Sequence, residues 1–237
     1  MSDLVYYRID SRKIGYAEYW RMVNGNPITF LIAAIAKTLF VPLDFQMAQP
    51  ILKSLIPVEP REMPEDAKEA MTPMIAACRE LGAELQFLYT IPMISRTTGF
   101  GAAFLSTDGV IVPQVLFSRV VNNGIRTATV TFSCVSQLPD KRLVVTSDKR
   151  KEFESPDWLD GVSMVGANVE TVYKAHTARL SSMKTRPVCF TPGQLQPFVV
   201  EINNRELEAR IARGIMVKMT EAEVGKLRGM LSAAPVS

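Results

Sequence analysis

One histidine, His176, and three cysteines, Cys78, Cys134 and Cys189, are the residues of this chain best suited to acid–base or nucleophilic chemistry. A lone histidine cannot build the usual His/His or Cys/His metal cluster, so no metal site is expected. It can serve as a general base. Helical spacing surrounds it with Val172, Tyr173 and Leu180, and Arg179 stands three residues on. A guanidinium there would disfavour an imidazolium beside it. The expected role is a packed, hydrogen-bonded histidine. The alternative is a small ligand held between a sheet and this helix by Tyr173, His176 and Arg179. No catalytic residue is assigned.

The cysteines are odd in number, widely spaced and set among apolar neighbours. That argues against a disulfide framework and for buried free thiols in a reducing compartment. A thiol enzyme would need one of them to meet His176 in space. Gly99-Phe100-Gly101 is a G-x-G fragment that precedes a strand instead of following one, the wrong context for a dinucleotide loop. The chain holds no phosphate-loop motif and no G-x-S-x-G nucleophile elbow. No cofactor is expected. Lys141, Arg142, Lys149, Arg150 and Lys151 form a basic cluster, but Asp140, Asp148, Glu152 and Glu154 interleave it. A charged edge strand that resists sheet extension is the expected reading. Asp157, Asp160 and Glu154 read as an acidic loop beside Trp158.

The most apolar stretch is ITFLIAAIAKTLFVPL, residues 28–43, with Lys37 as its one charge. Asn26 as N-cap and Pro27 at the first helical position mark a helix start. Apolar residues then fall on nearly every face, so protein or lipid should surround the helix. The run is shorter than the about 20 residues of a membrane span. Contact with a membrane surface or with a second copy of the chain is expected through Trp20, Ile28, Phe30, Leu31, Ile32, Ile35, Leu39 and Phe40. Residues 9–23, with Tyr16, Tyr19, Trp20 and Val23 at helical spacing, read as a helix before it.

A proline-rich stretch, Gln49 to Asp66, reads as a linker between an annex of residues 1–60 and a main domain of residues 61–237. In the latter a helix runs from Pro64 to Glu80. Five strands follow, at 84–91, 101–106, 110–121, 126–136 and 142–147. Asp108-Gly109 is a hairpin signal, and Asn122-Asn123-Gly124 reads as a second turn. Residues 126–136 alternate apolar and polar, the mark of a half-buried strand. Such short connections require antiparallel pairing. A helix capped by Asn168 carries His176, a long helical region runs from Pro197 to Met219, and Thr220 to Glu223 is a capping box. The expected fold class is α+β, a five-stranded antiparallel meander with helices packed on one face and an N-terminal helical annex.

The chain of 237 residues is 47% hydrophobic and 22% charged, ordinary globular usage with enough apolar material for a core. A net charge of +3 gives no strong nucleic-acid signal. The N-terminus carries tyrosines and charges in place of an apolar signal core, so a cytoplasmic location is expected, with membrane association open through residues 28–43. The expected function is a non-enzymatic binding or interaction module. The alternative is a small-ligand binder or enzyme using the His176 pocket.

Overall fold

The computed structural model describes residues 4–41, 47–95, 97–122 and 125–232. In chain order the elements are β1 (Tyr6–Ile9), α1 (Tyr16–Met22), α2 (Pro27–Thr38), β2 (Met47–Pro50), β3 (Ile56–Pro57), α3 (Glu65–Glu80), β4 (Glu84–Thr90), β5 (Ile94–Ser95), β6 (Thr97–Leu105), β7 (Val112–Asn122), β8 (Ile125–Gln137), β9 (Leu143–Ser147), β10 (Leu159–Ser163), α4 (Val169–Ser182), α5 (Pro192–Ala212), β11 (Met216–Lys218) and α6 (Glu221–Ser232). The architecture is mixed α+β.

The main sheet has the order β10-β9-β8-β7-β6-β4-β3. Its centre, β4 with β6 to β9, is antiparallel throughout. The expectation of five antiparallel strands is corrected at both edges. The two-residue β3 adds to β4, and β10 pairs with β9 in parallel. The sequence LDGVS of β10 is exposed and does not alternate, so its pairing leaves no periodic trace. Eleven residues separate β9 from β10, enough chain to return and run parallel. Gly109, at φ 71, closes the expected β6–β7 turn, where the Asp108 carboxylate accepts from the Ser106 hydroxyl and the Val110 amide. The turn expected at Asn122-Asn123-Gly124 falls largely outside the described residues.

Helices cover both faces of the sheet, not one. Along β6, Ala102 and Phe104 meet α3 and α4 in a cluster that includes Met71, Cys78, Phe117, Phe132 and Val172. The alternate residues Ala103 and Leu105 turn to the opposite face, where Val199 and then Leu195 and Phe198 of α5 receive them. This is the period-two alternation of a strand buried on both sides.

The expected helical annex also contains strands. A second, antiparallel sheet has the order β11-β1-β2-β5, so β1 sits between the chain's late strand and β2, with Arg8 opposite Val217. The long helix expected to reach Met219 stops at Ala212. Gly214, at φ 71, turns the chain so that Ile215 and Met216 enter a core with Ile9, Ile14 and Tyr19. Glycine suits this position because φ is positive. Thr220 and Glu223 bond reciprocally at the start of α6, the expected capping box.

Candidate functional site

His176 is wholly buried between α4 and the sheet. Its Nε2 lies 3.0 Å from Ser136 Oγ on β8, and its Nδ1 lies 3.0 Å from Thr146 Oγ1 on β9. The neighbours assign the protons. Ser136 donates its hydroxyl to the Val110 carbonyl at 2.7 Å, so it must accept from the Nε2–H. Arg179 Nη1 donates to Thr146 Oγ1 at 2.8 Å, leaving the threonine proton for Nδ1. The chain runs one way, from Arg179 through Thr146, His176 and Ser136 to the Val110 carbonyl, and it requires a neutral ring. Burial, with Arg179 second, holds the imidazole down to about 4.

A serine hydroxyl 3.0 Å from an imidazole is also the geometry of an activated nucleophile. Ser136 and Thr146 are as buried as His176, and every proton in the chain has an acceptor. The group therefore pins α4 to β8 and β9. Arg179 extends the clasp, donating to the Val145 carbonyl and pairing with Asp160 of β10 at 2.8 Å. Tyr173 is half-buried and packs into the apolar cluster of Cys78 and Cys134. The sequence-selected trio thus splits: His176 and Arg179 meet through Thr146, while Tyr173 joins the apolar core.

Burial pushes the Cys78 thiol up to about 12, and that of Cys134 well above its ordinary value. Both thiols are thereby held in the protonated, weakly nucleophilic form. Cys189 departs from the expectation of three buried thiols: it is exposed, and its Sγ donates to the Asp108 carbonyl at 3.2 Å. An open cleft of about 430 Å³ lies beyond the end of α4, with Arg142, Ser155, Asp157, Asp160, Lys184 and Thr185 in its wall. Arg142 pairs with Asp140 at 2.7 Å and Asp160 with Arg179. Among the described residues no group of His, Cys, Asp and Glu could hold a metal ion.

The most unusual surface is the α1–α2 hairpin. Asn26 accepts from the Ile28 and Thr29 amides, both at 3.0 Å, and Pro27 opens the helix. The amphipathic pattern of α2 is inverted. Ala33 is buried, and Phe30, Ala34, Ala36 and Lys37 face inward with it. Lys37 Nζ donates to the Arg12 and Ile14 carbonyls and sits over the Tyr16 ring. Ile28, Leu31, Ile32, Ile35 and Leu39 form the outward row at helical spacing. With Tyr16, Trp20, Phe40 and Val41 they are nine large apolar side chains, 44–77% exposed. Clustered exposed apolar side chains of this kind mark interaction surfaces. Phe40 ends the helix at φ 56, a region that favours glycine, with its ring in solvent.

Seven of the eight contact residues read from the sequence are on this surface. Phe30 is the exception. It is half-buried and meets the Trp20 ring edge-on at 5.2 Å. Tyr16, read from the sequence as one of the helix-spaced aromatics, and Val41, inside the 28–43 run, join the seven.

Glu18 anchors the hairpin. It is 1% exposed, and it accepts from the Gly15 amide at 3.0 Å, the Glu154 amide at 2.9 Å and Arg213 at 2.8 Å. Burial pushes its carboxyl up, but these donors outweigh burial and hold it below the usual range. Glu18→Gln turns an amide N–H₂ toward donors and leaves Arg213 with only the 3.9 Å contact to Glu154, so a loss of about 2–3 kcal/mol is expected in denaturant unfolding. An unchanged midpoint would mean that the pair contributes nothing.

Comparison with protein families, with curated proteins and with solved structures finds no match to this chain.

Proposed function

We propose that this chain is a non-enzymatic binding module whose binding element is the outward face of the α1–α2 hairpin. The observation that carries the reading is the inverted pattern of α2. Its small residues meet the core and its large aliphatic residues meet water, an arrangement that costs hydrophobic free energy in the isolated chain. The cost is recovered when a second surface covers the row. The rigid α+β body, with β8, β9 and α4 locked by the His176 chain, is the scaffold that presents it.

Leu31→Glu/Ile35→Glu tests this. On a free docking face each change is within about 0.5 kcal/mol, so the melting temperature should move by no more than a few degrees. Binding of an apolar fluorescent dye to the native chain should fall at the same time. A large fall in melting temperature would place the row inside the fold of the single chain and defeat the reading.

A further inference from the structure

Charge decides what covers the hairpin. We infer that its occupant is an anionic lipid surface, on which α2 lies flat with Ile28, Leu31, Ile32, Ile35 and Leu39 sunk among the acyl chains. This rests on the docking reading above.

From Asp10 to Val41 the cations are Arg12, Lys13, Arg21 and Lys37. Asp10 holds Arg12 at 2.8 Å, and Lys37 donates to the Arg12 and Ile14 carbonyls. Arg21 has buried guanidinium nitrogens, and Lys13 is exposed. The second carboxylate of the stretch is Glu18. That carboxylate is buried against Arg213. The fold then adds a second basic element. Lys149, Arg150 and Lys151 are exposed in the loop after β9, and that loop is fastened to α1 just beyond them. Phe153 packs in the cluster of Ile14, Tyr19 and Ala33, and the Glu154 amide donates to Glu18. Of the neighbouring acids, Asp148 accepts the Phe132 amide and Glu154 stands 3.9 Å from Arg213. Glu152 is half-buried and Glu154 is exposed, so the basic character of the loop lies in the exposure of its three cations and not in its net charge. The hairpin carries an apolar row on its outer face and a basic loop fastened to its inner side, aliphatic side chains for a bilayer's acyl boundary and cations for its anionic headgroups.

A second copy of the chain fits this surface less well. Two-fold pairing through the same face would set one basic loop near the other. A span is also excluded for α2. Its 12 residues reach about 18 Å, against about 30 Å of hydrocarbon. Among the described residues no helix is long and apolar enough to cross a membrane. Trp20 and Tyr16, exposed at the edge of the row, are the residue types favoured at headgroup depth.

The test uses the full chain with phosphatidylcholine vesicles, with and without phosphatidylserine, read by co-sedimentation. Trp20 emission in a Trp158→Phe background gives a second readout. Binding should be about tenfold or more stronger with phosphatidylserine and should weaken in high salt. Trp20 emission should shift to the blue on binding. Leu31→Glu/Ile35→Glu should abolish binding. Lys149→Gln/Arg150→Gln/Lys151→Gln should reduce it about tenfold without moving the melting temperature. Equal binding to both vesicle types overturns the anionic assignment. Absence of vesicle binding, together with a dimer in light scattering that Leu31→Glu/Ile35→Glu dissolves, overturns the lipid and leaves the docking reading standing. Absence of vesicle binding with a monomer whose dye binding is unaffected by the same double variant overturns both.

Discussion

Unfolding free energy should fall by about 3 kcal/mol as the pH is lowered from 6.5 to 4, because His176 is held neutral inside the fold. Its folded value of about 4 lies below the ordinary 6.5 that it regains on unfolding. Between those limits the unfolded chain binds one proton more than the folded chain, so stability rises with pH across the window and levels off above it. Protonation would also reverse Nδ1 from acceptor to donor, facing a Thr146 oxygen that already accepts from Arg179. Carboxylates contribute at the acid end of the range. Burial pushes Asp148 up, which acts with the opposite sign just above the usual carboxylate range. Glu18, held down, adds to the loss from about its ordinary 4.5 downward, at the acid end of the window, as does buried Asp10, paired with Arg12. Denaturant unfolding at a series of pH values isolates the histidine when His176→Gln is run beside the parent. The variant should be less stable at pH 7 and lose most of the slope between 6.5 and 4. A variant with the parent's slope would show that another group titrates there.

The second large effect is expected at Gly101. This glycine lies opposite Tyr89 on the neighbouring strand, and the tyrosine ring rests on its backbone. A Cβ at 101 would stand 2.2 Å from Tyr89 Cζ and 2.7 Å from its Oη. The ring has nowhere to go. It is 2% exposed and packed among Leu52, Leu55, Ala103 and Val199. Gly101→Ala should therefore cost about 3 kcal/mol or more, at the upper end of overpacking effects. Tyr89→Ala alone should cost a similar amount by leaving a cavity. In the Tyr89→Ala background, Gly101→Ala should be nearly neutral, since the atoms it strikes are gone. Additive costs in that cycle would mean that the glycine is required for its backbone and not for the ring. The G-x-G fragment, whose context already argued against a dinucleotide loop, is thus read as space for a cross-strand aromatic.

Much of the local structure was legible because its determinants are local. Asn26 and Pro27 start α2, and Asn168 caps α4 by accepting from the Thr171 amide at 2.9 Å. The alternation of residues 126–136 marks β8, and Asp108-Gly109 marks the turn between β6 and β7. These signals depend on residues within one turn or one pleat of each other. The residues of the hairpin surface were legible for the same reason, as an apolar run at helical spacing.

The tertiary structure alone decided where those elements meet. β1 pairs with β11 across almost the whole chain, and β10 joins β9 in parallel, although neither strand is marked by its pattern. Ser136 and Thr146, 40 and 30 residues from His176, supply its hydrogen bonds and turn a candidate base into a structural clasp. Only the fold brings Lys149 to Lys151 beside α1, through Phe153 and Glu154. Apolarity dictates that a side chain should leave water, not which surface receives it. In α2 the close approach of helix to core admits Ala33 and its small neighbours. The isoleucines and leucines at the other helical positions are left on the outside.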